Sequence, residues 1–505
     1  MANTISIIGS GYSSMVAACC LADKGLDVTV YEKNEMAGGR ASQFQKQGFT
    51  FDMGPSWYWM PEVFENFFKR FGKSSSDYYE LVQLDPGYQV FFENEESIAI
   101  PADKKSLLEL FESIEKGSAE KLEKFLAEAE YKYRVGIDEY VWKPGKSIME
   151  FVDLKVLKSF MKLQMLSSVS SSVKSLFKDK RLQQILEFPV LFLGSMPNRI
   201  PALYTLMNHA DLTLGTWYPK GGMYEVSKAM YTLALSLGVK FKFNCEIDGV
   251  EITNRKITAV NSGSENFISD FVIAGADYHH FDREVLPTKY SNYSETYWDK
   301  REMAPSSLLF FLGFNKKIDG LEHHNLFFDS SFDTHVNEIY ESPQWPSKPL
   351  FYICAPSKTD NKIAPEGYEN VFALIPLAPG LKEDKSLHEK YLNEILSRIE
   401  QKTGSKIKEN LIYNNSFSVS DFESRYNAFK GNAYGLANTL RQTAILKPKY
   451  YNKNLDNLYY TGQLTVPGPG MPPAIISGQL VADQFLKNTK LKTYGRALHK
   501  DLERV

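Results

Sequence analysis

The chain has 505 residues, room for two or three domains with large cores. Its net charge of −3 gives no bulk electrostatic case for nucleic acid, and its four cysteines, Cys19, Cys20, Cys245 and Cys354, show neither metal-ligand nor CxxC spacing. No run of eighteen apolar residues occurs and the first strand is predicted to begin at Thr4, so a cytoplasmic protein is expected, one that meets a membrane only from its inner surface.

Thr4-Ile5-Ser6-Ile7-Ile8 is a β-branched run that ends at Gly9-Ser10-Gly11-Tyr12-Ser13-Ser14, and a small, apolar helix is predicted from Met15 to Ala22. Gly25 stops it, and Leu26–Tyr31 reads as a second buried strand that delivers Glu32 twenty-one residues after Gly11. Strand, glycine turn, helix, strand and acid in this order make a dinucleotide arm. Gly9 allows the tight turn, Gly11 lets backbone approach a pyrophosphate, the helix N-terminus offers free N–H groups, and Glu32 accepts from a ribose. Ser14 stands where a third glycine is usual; that position serves close helix–strand packing, which a serine tolerates. A second glycine turn with a cation, Gly38-Gly39-Arg40, suits a cofactor that runs past the pyrophosphate to a second ring system, which favours FAD over NAD.

Gly48–Tyr58 alternates like a strand and then breaks at Gly54-Pro55, and Met60–Phe71 returns to helical spacing. Strand and turn follow from Asp77 to Ile100, then a charged helical stretch from Ser106 to Tyr140. Leu154–Lys178 carries five lysines and no acid, with Val156, Phe160, Leu163, Leu166, Val169, Val173 and Leu176 recurring every three or four positions. Such a basic amphipathic helix can lie in an anionic membrane interface or face a core. Trp217–Met223 is another glycine turn opening a helix to Leu237. Strands are predicted at Val239–Phe243, Glu246–Ile252 and Phe271–Asp277, and a mixed block with strands Leu308–Phe314 and Val371–Leu377 spans residues 306–440. Finally Leu458–Gly462 reads as a strand entering a turn. Pro467-Gly468-Pro469-Gly470-Met471-Pro472-Pro473 then tips a small-residue helix from Ala474 to Phe485, a second helix start expected to offer free N–H groups.

The expected fold is α/β: a Rossmann-like FAD-binding domain from the discontinuous segments 1–95, 220–290 and 441–490, an inserted α+β substrate domain at 291–440, and a helical, membrane-associating region at 96–219. Four blocks carry a family resemblance over nearly the whole chain: IIGSGYSSMVAACCLADKGLDVTVYEKNEMAGGRAS, FTFDMGPSWYWMPEVFENFF, PALYTLMNHADLTLGTWYPKGGM and NLYYTGQLTVPGPGMPPAIISGQLVAD. They resemble the FAD-dependent carotenoid desaturases of the bacterial phytoene desaturase type, within the amine-oxidase-like flavoprotein superfamily.

The resemblance implies that Gly9, Gly11, Ser14, Glu32, Lys33, Gly39 and Arg40 hold the ADP half and pyrophosphate of FAD, and that Gly54, Pro55, Ser56 and Trp57 lie near the isoalloxazine. Ile247 meets adenine through its backbone, Gly462 and Gln463 meet the second phosphate or ribityl, and Pro472, Pro473 and Ala474 meet the flavin end. Where many relatives have an acid after the glycine at 462, this chain has the neutral Gln463. The implied activity is desaturation of a long linear carotenoid, phytoene to lycopene or a partly desaturated intermediate, by hydride transfer to flavin in an apolar tunnel. A hydroxycarotenoid 3,4-desaturase is the alternative, a prenyl- or lipid-binding protein without redox chemistry the remote one. Electrons would pass on to a quinone or oxygen. No catalytic side chain is assigned: His209, His279 and His280 are the candidate bases, and histidines at element ends are more often structural. No metal site is expected.

Overall fold

In the computed structural model, which describes residues 3–147, 150 and 167–489, the chain opens on β1 (Thr4–Ile8), α1 (Tyr12–Ala22) and β2 (Asp27–Tyr31). β1 and β2 run parallel, with Ile5 opposite Val28 and Ile8 opposite Tyr31. All eleven residues of α1 are buried, which is why its sequence is small and apolar all round rather than striped. The first sheet is parallel throughout and ordered Leu458–Tyr460, Phe271–Ala274, β1, β2, Lys240–Lys242.

Its two faces are covered differently. Ile5 and Ile7 pack with α1 and with helices Tyr224–Ser236 and Met471–Thr489, whereas Ile8 and Tyr31 pack against Ile257 and Val260 of a three-stranded antiparallel sheet. α1 and Met471–Thr489 lie so close that a Cβ at Gly478 would strike the Ser13 carbonyl and stand 2.8 Å from Val16 Cβ.

A second, seven-stranded sheet is ordered Leu411–Phe417, Ser306–Phe314, Glu369–Leu377, Phe351–Cys354, His324–Phe328, Tyr88–Phe92, Ile98–Ile100. Ser306–Phe314 is buried along all nine residues, as its continuous apolar run requires. Tyr88–Phe92, grouped from the sequence with the first cofactor segment, instead pairs parallel with His324–Phe328, so the chain leaves the first sheet's territory before residue 88. A hairpin of Gln43–Lys46 and Phe49–Asp52 bridges the two parts: Phe51 packs on Phe311 of the second sheet, and the Asp52 carboxylate accepts from the backbone N–H of Met223 (2.7 Å) and Tyr224 (3.0 Å), at the start of a first-sheet helix, and from Gln43 Nε2 (3.3 Å).

Helices Lys104–Ile114, Ser118–Arg134, Val169–Leu176, Lys180–Glu187 and Leu206–Leu212 form the helical region. The single basic helix expected from Leu154 to Lys178 is not formed. Ser168 is extended and caps a new helix that starts at Val169, and Phe177 ends it in an extended conformation. Its first half, with Lys155, Lys158 and Lys162, lies outside the described residues. Val169 and Val173 are buried, while Lys174 and Lys178 are exposed. No helix among the described residues is long and apolar enough to cross a membrane.

The Gly478 contact yields a direct test. Gly478→Ala gains about 1 kcal/mol of helix propensity, but the methyl meets backbone, which cannot swing aside, and overpacking costs about 1–3 kcal/mol or more. A net fall in melting temperature is expected; an unchanged or raised melting temperature contradicts the close α1 packing.

Candidate active site

Ligands of parallel sheets bind beyond the carboxyl ends of the strands. Here a cavity of about 510 Å³ starts at those ends and continues between the two sheets. All the residues that the resemblance places on the cofactor line it except Ser14.

At the strand ends the wall is backbone. Gly9 has φ +87 and donates its N–H to the Tyr31 carbonyl (2.7 Å). Gly11 is the N-cap of α1, brings no side-chain cap, and a Cβ added to it would meet nothing within 4 Å. The first N–H groups of α1 therefore face open space, as an anion site requires. Gly39, at φ +56, brings the second glycine turn within 3.3 Å of Gly11 Cα, measured from the Cβ it lacks. Ser14 is turned away: it is fully buried, and its Oγ occupies the space a Cβ on Gly275 would need. Its expected place on the cofactor is replaced by helix–strand packing, because the α1 face it occupies is the one pressed on the sheet.

The charged groups are fixed by the protein to very different degrees. Glu32 Oε2 accepts from Ser10 N (2.8 Å) and Oγ (2.7 Å), and Oε1 from Asn34 N and Nδ2 (both 2.9 Å). Lys33 Nζ donates to the Ser424 carbonyl (2.9 Å) and Asn427 Oδ1 (2.8 Å) and pairs with Glu246 (3.2 Å). Arg40 is least engaged: one Nη2 bond to the Asn432 carbonyl (3.3 Å), the Tyr426 ring 5.3 Å away, and a buried Nε with no partner. Burial pulls its pKa below the usual value, against the opposing pull of Asp277. A buried cation with donor capacity left over suits a phosphate. Gly54 sits where any Cβ would strike the Arg40 carbonyl, so wall segment 54–57 is set directly by that turn.

On the opposite side Ile247 lines the wall two residues after Cys245, whose N–H donates to the Glu32 carbonyl (2.8 Å). Gly462 (φ +113) donates its N–H to Ser477 Oγ (3.1 Å), and Gln463 Nε2 donates to Asn432 Oδ1 (3.1 Å). The helix start at Met471 offers fewer donors than expected. Pro472 and Pro473 have no N–H, and the Ala474 N–H is bonded to the Gly470 carbonyl (3.0 Å), which leaves Met471 as the donor of that turn.

Beyond Trp57 the cavity becomes apolar, walled by residues such as Phe188, Leu309, Leu326, Phe328, Val336 and Leu374. The Trp57 ring stacks on His324 (centroids 4.1 Å, 12°). The Tyr352 hydroxyl donates to Ser56 Oγ (2.9 Å) and lies 2.6 Å from His324 Nδ1. His335 also reaches the wall, but its Nε2–H donates to the Pro376 carbonyl (3.0 Å) and its Nδ1 accepts from the Leu350 N–H (3.0 Å). Burial pushes its pKa down to about 4, so it is a neutral, fully engaged imidazole.

None of the candidate bases stands in this apolar half. His209 is off the wall beside Tyr133 (5.0 Å), and His279 pairs with Glu295 (3.1 Å) and stacks on Phe429. His280 lines the cavity at its other end, near Lys33 and Asp277, with its pKa lowered by burial. Tyr352 and His324 sit on strands and His335 on helix Phe332–Tyr340, hundreds of residues from the first glycine turns and in no local motif, so no sequence signal marks them. Strands His324–Phe328 and Phe351–Cys354, with the residue before the first, gather His323, His324 and Cys354, all buried, with one ligand-type atom of each within 4.8 Å of the others. Sequence spacing carries no sign of this trio; His323 Nδ1 is hydrogen-bonded to Thr359 Oγ1 (2.7 Å) and His324 Nδ1 to Tyr352, while the Nε2 of each is buried without a partner.

Comparisons with known proteins agree with this geometry. The family described as flavin containing amine oxidoreductase matches residues 15–486. The chain is 40% identical over 489 residues to a carotenoid 3,4-desaturase of Haloarcula japonica, across 96% of this chain and 98% of that one. It is 30% identical over 498 residues to a 4,4'-diapophytoene desaturase (4,4'-diaponeurosporene-forming) of Staphylococcus haemolyticus, across 96% and 99%. Among solved structures it is similar to an oxidoreductase from Methanosarcina mazei, with TM-score 0.63 and 15% identity over 95% of this chain and 100% of that chain, a likeness of fold. With a parallel sheet, paired glycine turns and a cavity that passes from charged to apolar walls, the chain belongs to the flavin containing amine oxidoreductase family, among its carotenoid desaturases.

Proposed function

We propose that this protein is an FAD-dependent desaturase that converts C–C single bonds of a long linear carotenoid into double bonds. One observation carries the proposal: a single cavity joins the glycine turns to an aromatic and aliphatic chamber, so a dinucleotide and an apolar chain can meet inside it. Bound FAD supplies the acceptor for a hydride taken from the substrate.

The chain's own residues bind, orient and exclude water. Gly9, Gly11, Gly39 and Arg40 hold the pyrophosphate, with Glu32, Lys33 and Ile247 around the adenosine. Gly54–Trp57 and Gly462, Gln463, Pro472, Pro473 and Ala474 frame the flavin end. Phe188, Leu309, Leu326 and Phe328 supply the dry surface that a polyene buries, worth about 25 cal/mol per Å². Phytoene, desaturated toward lycopene, is the first substrate reading. The 40% identity to a carotenoid 3,4-desaturase favours a second, the 3,4-desaturation of a hydroxycarotenoid.

A substrate of this kind lives in lipid, and we infer that the protein collects it as a peripheral protein on the inner face of a membrane, through the basic segment Leu154–Lys178. A quinone or oxygen then takes the electrons.

Expression in a host that accumulates phytoene, followed by pigment analysis, tests the function. Lycopene or shorter polyenes support the first reading; untouched phytoene with turnover of a supplied hydroxycarotenoid supports the second; no turnover of either sinks both. Cofactor placement is tested by flavin content after purification. Arg40→Leu should weaken FAD binding tenfold or more, about 1.4 kcal/mol, while Ser14→Gly should leave it intact; the reverse pattern contradicts the assignment. Replacing Lys155, Lys158 and Lys162 by Glu should reduce co-sedimentation with anionic liposomes, and unchanged sedimentation removes this segment from membrane binding.

A further inference from the structure

Desaturation removes a hydride from one carbon and a proton from its neighbour, so the apolar chamber needs somewhere for the proton to go. The polar groups on its wall are Ser56, Ser307, Tyr340, Tyr352, Tyr434 and His335. His335 is excluded by its own bonds, both nitrogens being used by backbone. Among the described residues, Tyr352 is the one hydroxyl of this set hydrogen-bonded to an imidazole, that of His324.

The pair is built on rigid backbone. His324–Phe328 and Phe351–Cys354 are antiparallel neighbours, with His324 opposite Cys354 and Leu326 opposite Tyr352, so His324 and Tyr352 are diagonal neighbours on one sheet face. Tyr352 reaches the cavity wall, His324 lies fully buried behind it, and Trp57 of the segment assigned to the flavin end stacks flat on His324.

Resting on the desaturase reading above, we propose that Tyr352, backed by His324, accepts the proton that the substrate loses. As the hydride leaves for the flavin, positive charge spreads along the polyene and the neighbouring C–H becomes acidic enough for a weak neutral base. That C–H bond breaks and its electron pair becomes the new C=C bond. For transfer the Tyr352 O–H turns from Ser56 Oγ to His324 Nδ1, with the neutral imidazole carrying its hydrogen on Nε2; the substrate proton then binds Tyr352 Oη as the phenolic proton passes to Nδ1. The substrate is oxidised by two electrons, the flavin is reduced by two, and the proton stays on His324 until it follows the electrons to the quinone or oxygen.

The surroundings agree with these roles. Burial holds the His324 pKa well below its usual value, so the imidazole is unprotonated at rest, and burial raises that of Tyr352, so the phenol is neutral at rest. The indole face of Trp57 stabilises the transient imidazolium by cation–π attraction. Ser56 holds the Tyr352 hydroxyl at the wall between turnovers.

The test uses flavin-loaded enzyme and whichever carotenoid the wild type desaturates, with the anaerobic rate of flavin reduction as readout. Tyr352→Phe, which deletes one oxygen atom, should slow reduction at least tenfold with flavin content and KM unchanged. Deuterium at the proton-losing carbon should give a larger isotope effect in this variant than in wild type. His324→Gln should act in the same direction, and the double variant should be no slower than the slower single one, because the two residues act as a unit. A slowing below tenfold with the isotope effect unchanged overturns the proposal; if His324→Gln loses its flavin, Tyr352→Phe alone decides. Wild-type enzyme that desaturates no carotenoid refutes the desaturase reading instead, an outcome distinct from a normal rate in Tyr352→Phe.

Discussion

Backbone meeting backbone at two glycine turns is the constraint from which the rest of this structure follows. Gly39, at φ +56, must stand against the Gly11 Cα, and Gly54 must admit the Arg40 carbonyl, so neither Gly39 nor Gly54 leaves ordinary room for a side chain. The first contact places the amino end of α1 at the cavity. The second places Gly54–Trp57 along its wall, and through Trp57 and Ser56 the geometry reaches Tyr352 and His324 on the other sheet. A displacement of the turns would therefore be felt both in the glycine-walled part of the cavity and in its apolar part.

The electrostatics of the two acidic and basic anchors are unequal. Each oxygen of Glu32 already accepts two protein hydrogen bonds, so a ribose hydroxyl would join or replace existing bonds for little net gain. Arg40 keeps a buried Nε without a partner, and a desolvated donor gains most when an anion arrives. On the proposed cofactor placement, Glu32 would set orientation and Arg40 would supply affinity.

The opening arm, β1, α1 and β2, was legible in the sequence because its signals are local: a β-branched run, a glycine pair, a small-residue helix and an acid at fixed spacing all lie within the first forty residues. The wall segment after Gly54 and the turn at Gly462 were legible for the same reason. What could not be read is set by pairing across the chain. Tyr88–Phe92 looks like any short strand until it finds His324–Phe328. Tyr352 and His324 carry no motif and become a pair through antiparallel register. The basic stretch after Leu154 shows helical periodicity across Ser168, yet a local side-chain cap there outweighs the pattern. At the helix start near Met471, the proline pair that advertises a helix also removes the N–H groups expected of one.

The order of strands in the first sheet has a consequence for how the chain folds. β1 sits between β2, its near neighbour in sequence, and Phe271–Ala274, while the edge strand Leu458–Tyr460 and the helix that seals α1 come from the far end of the chain. During synthesis, β1 and the uniformly apolar α1 emerge hundreds of residues before the partners that cover them. The loops that must close are long, their closure entropy is paid before the contacts reward it, and the exposed parallel edge is an aggregation hazard in the interval. The arm that is easiest to recognise in the sequence is thus among the last parts to be completed in the fold.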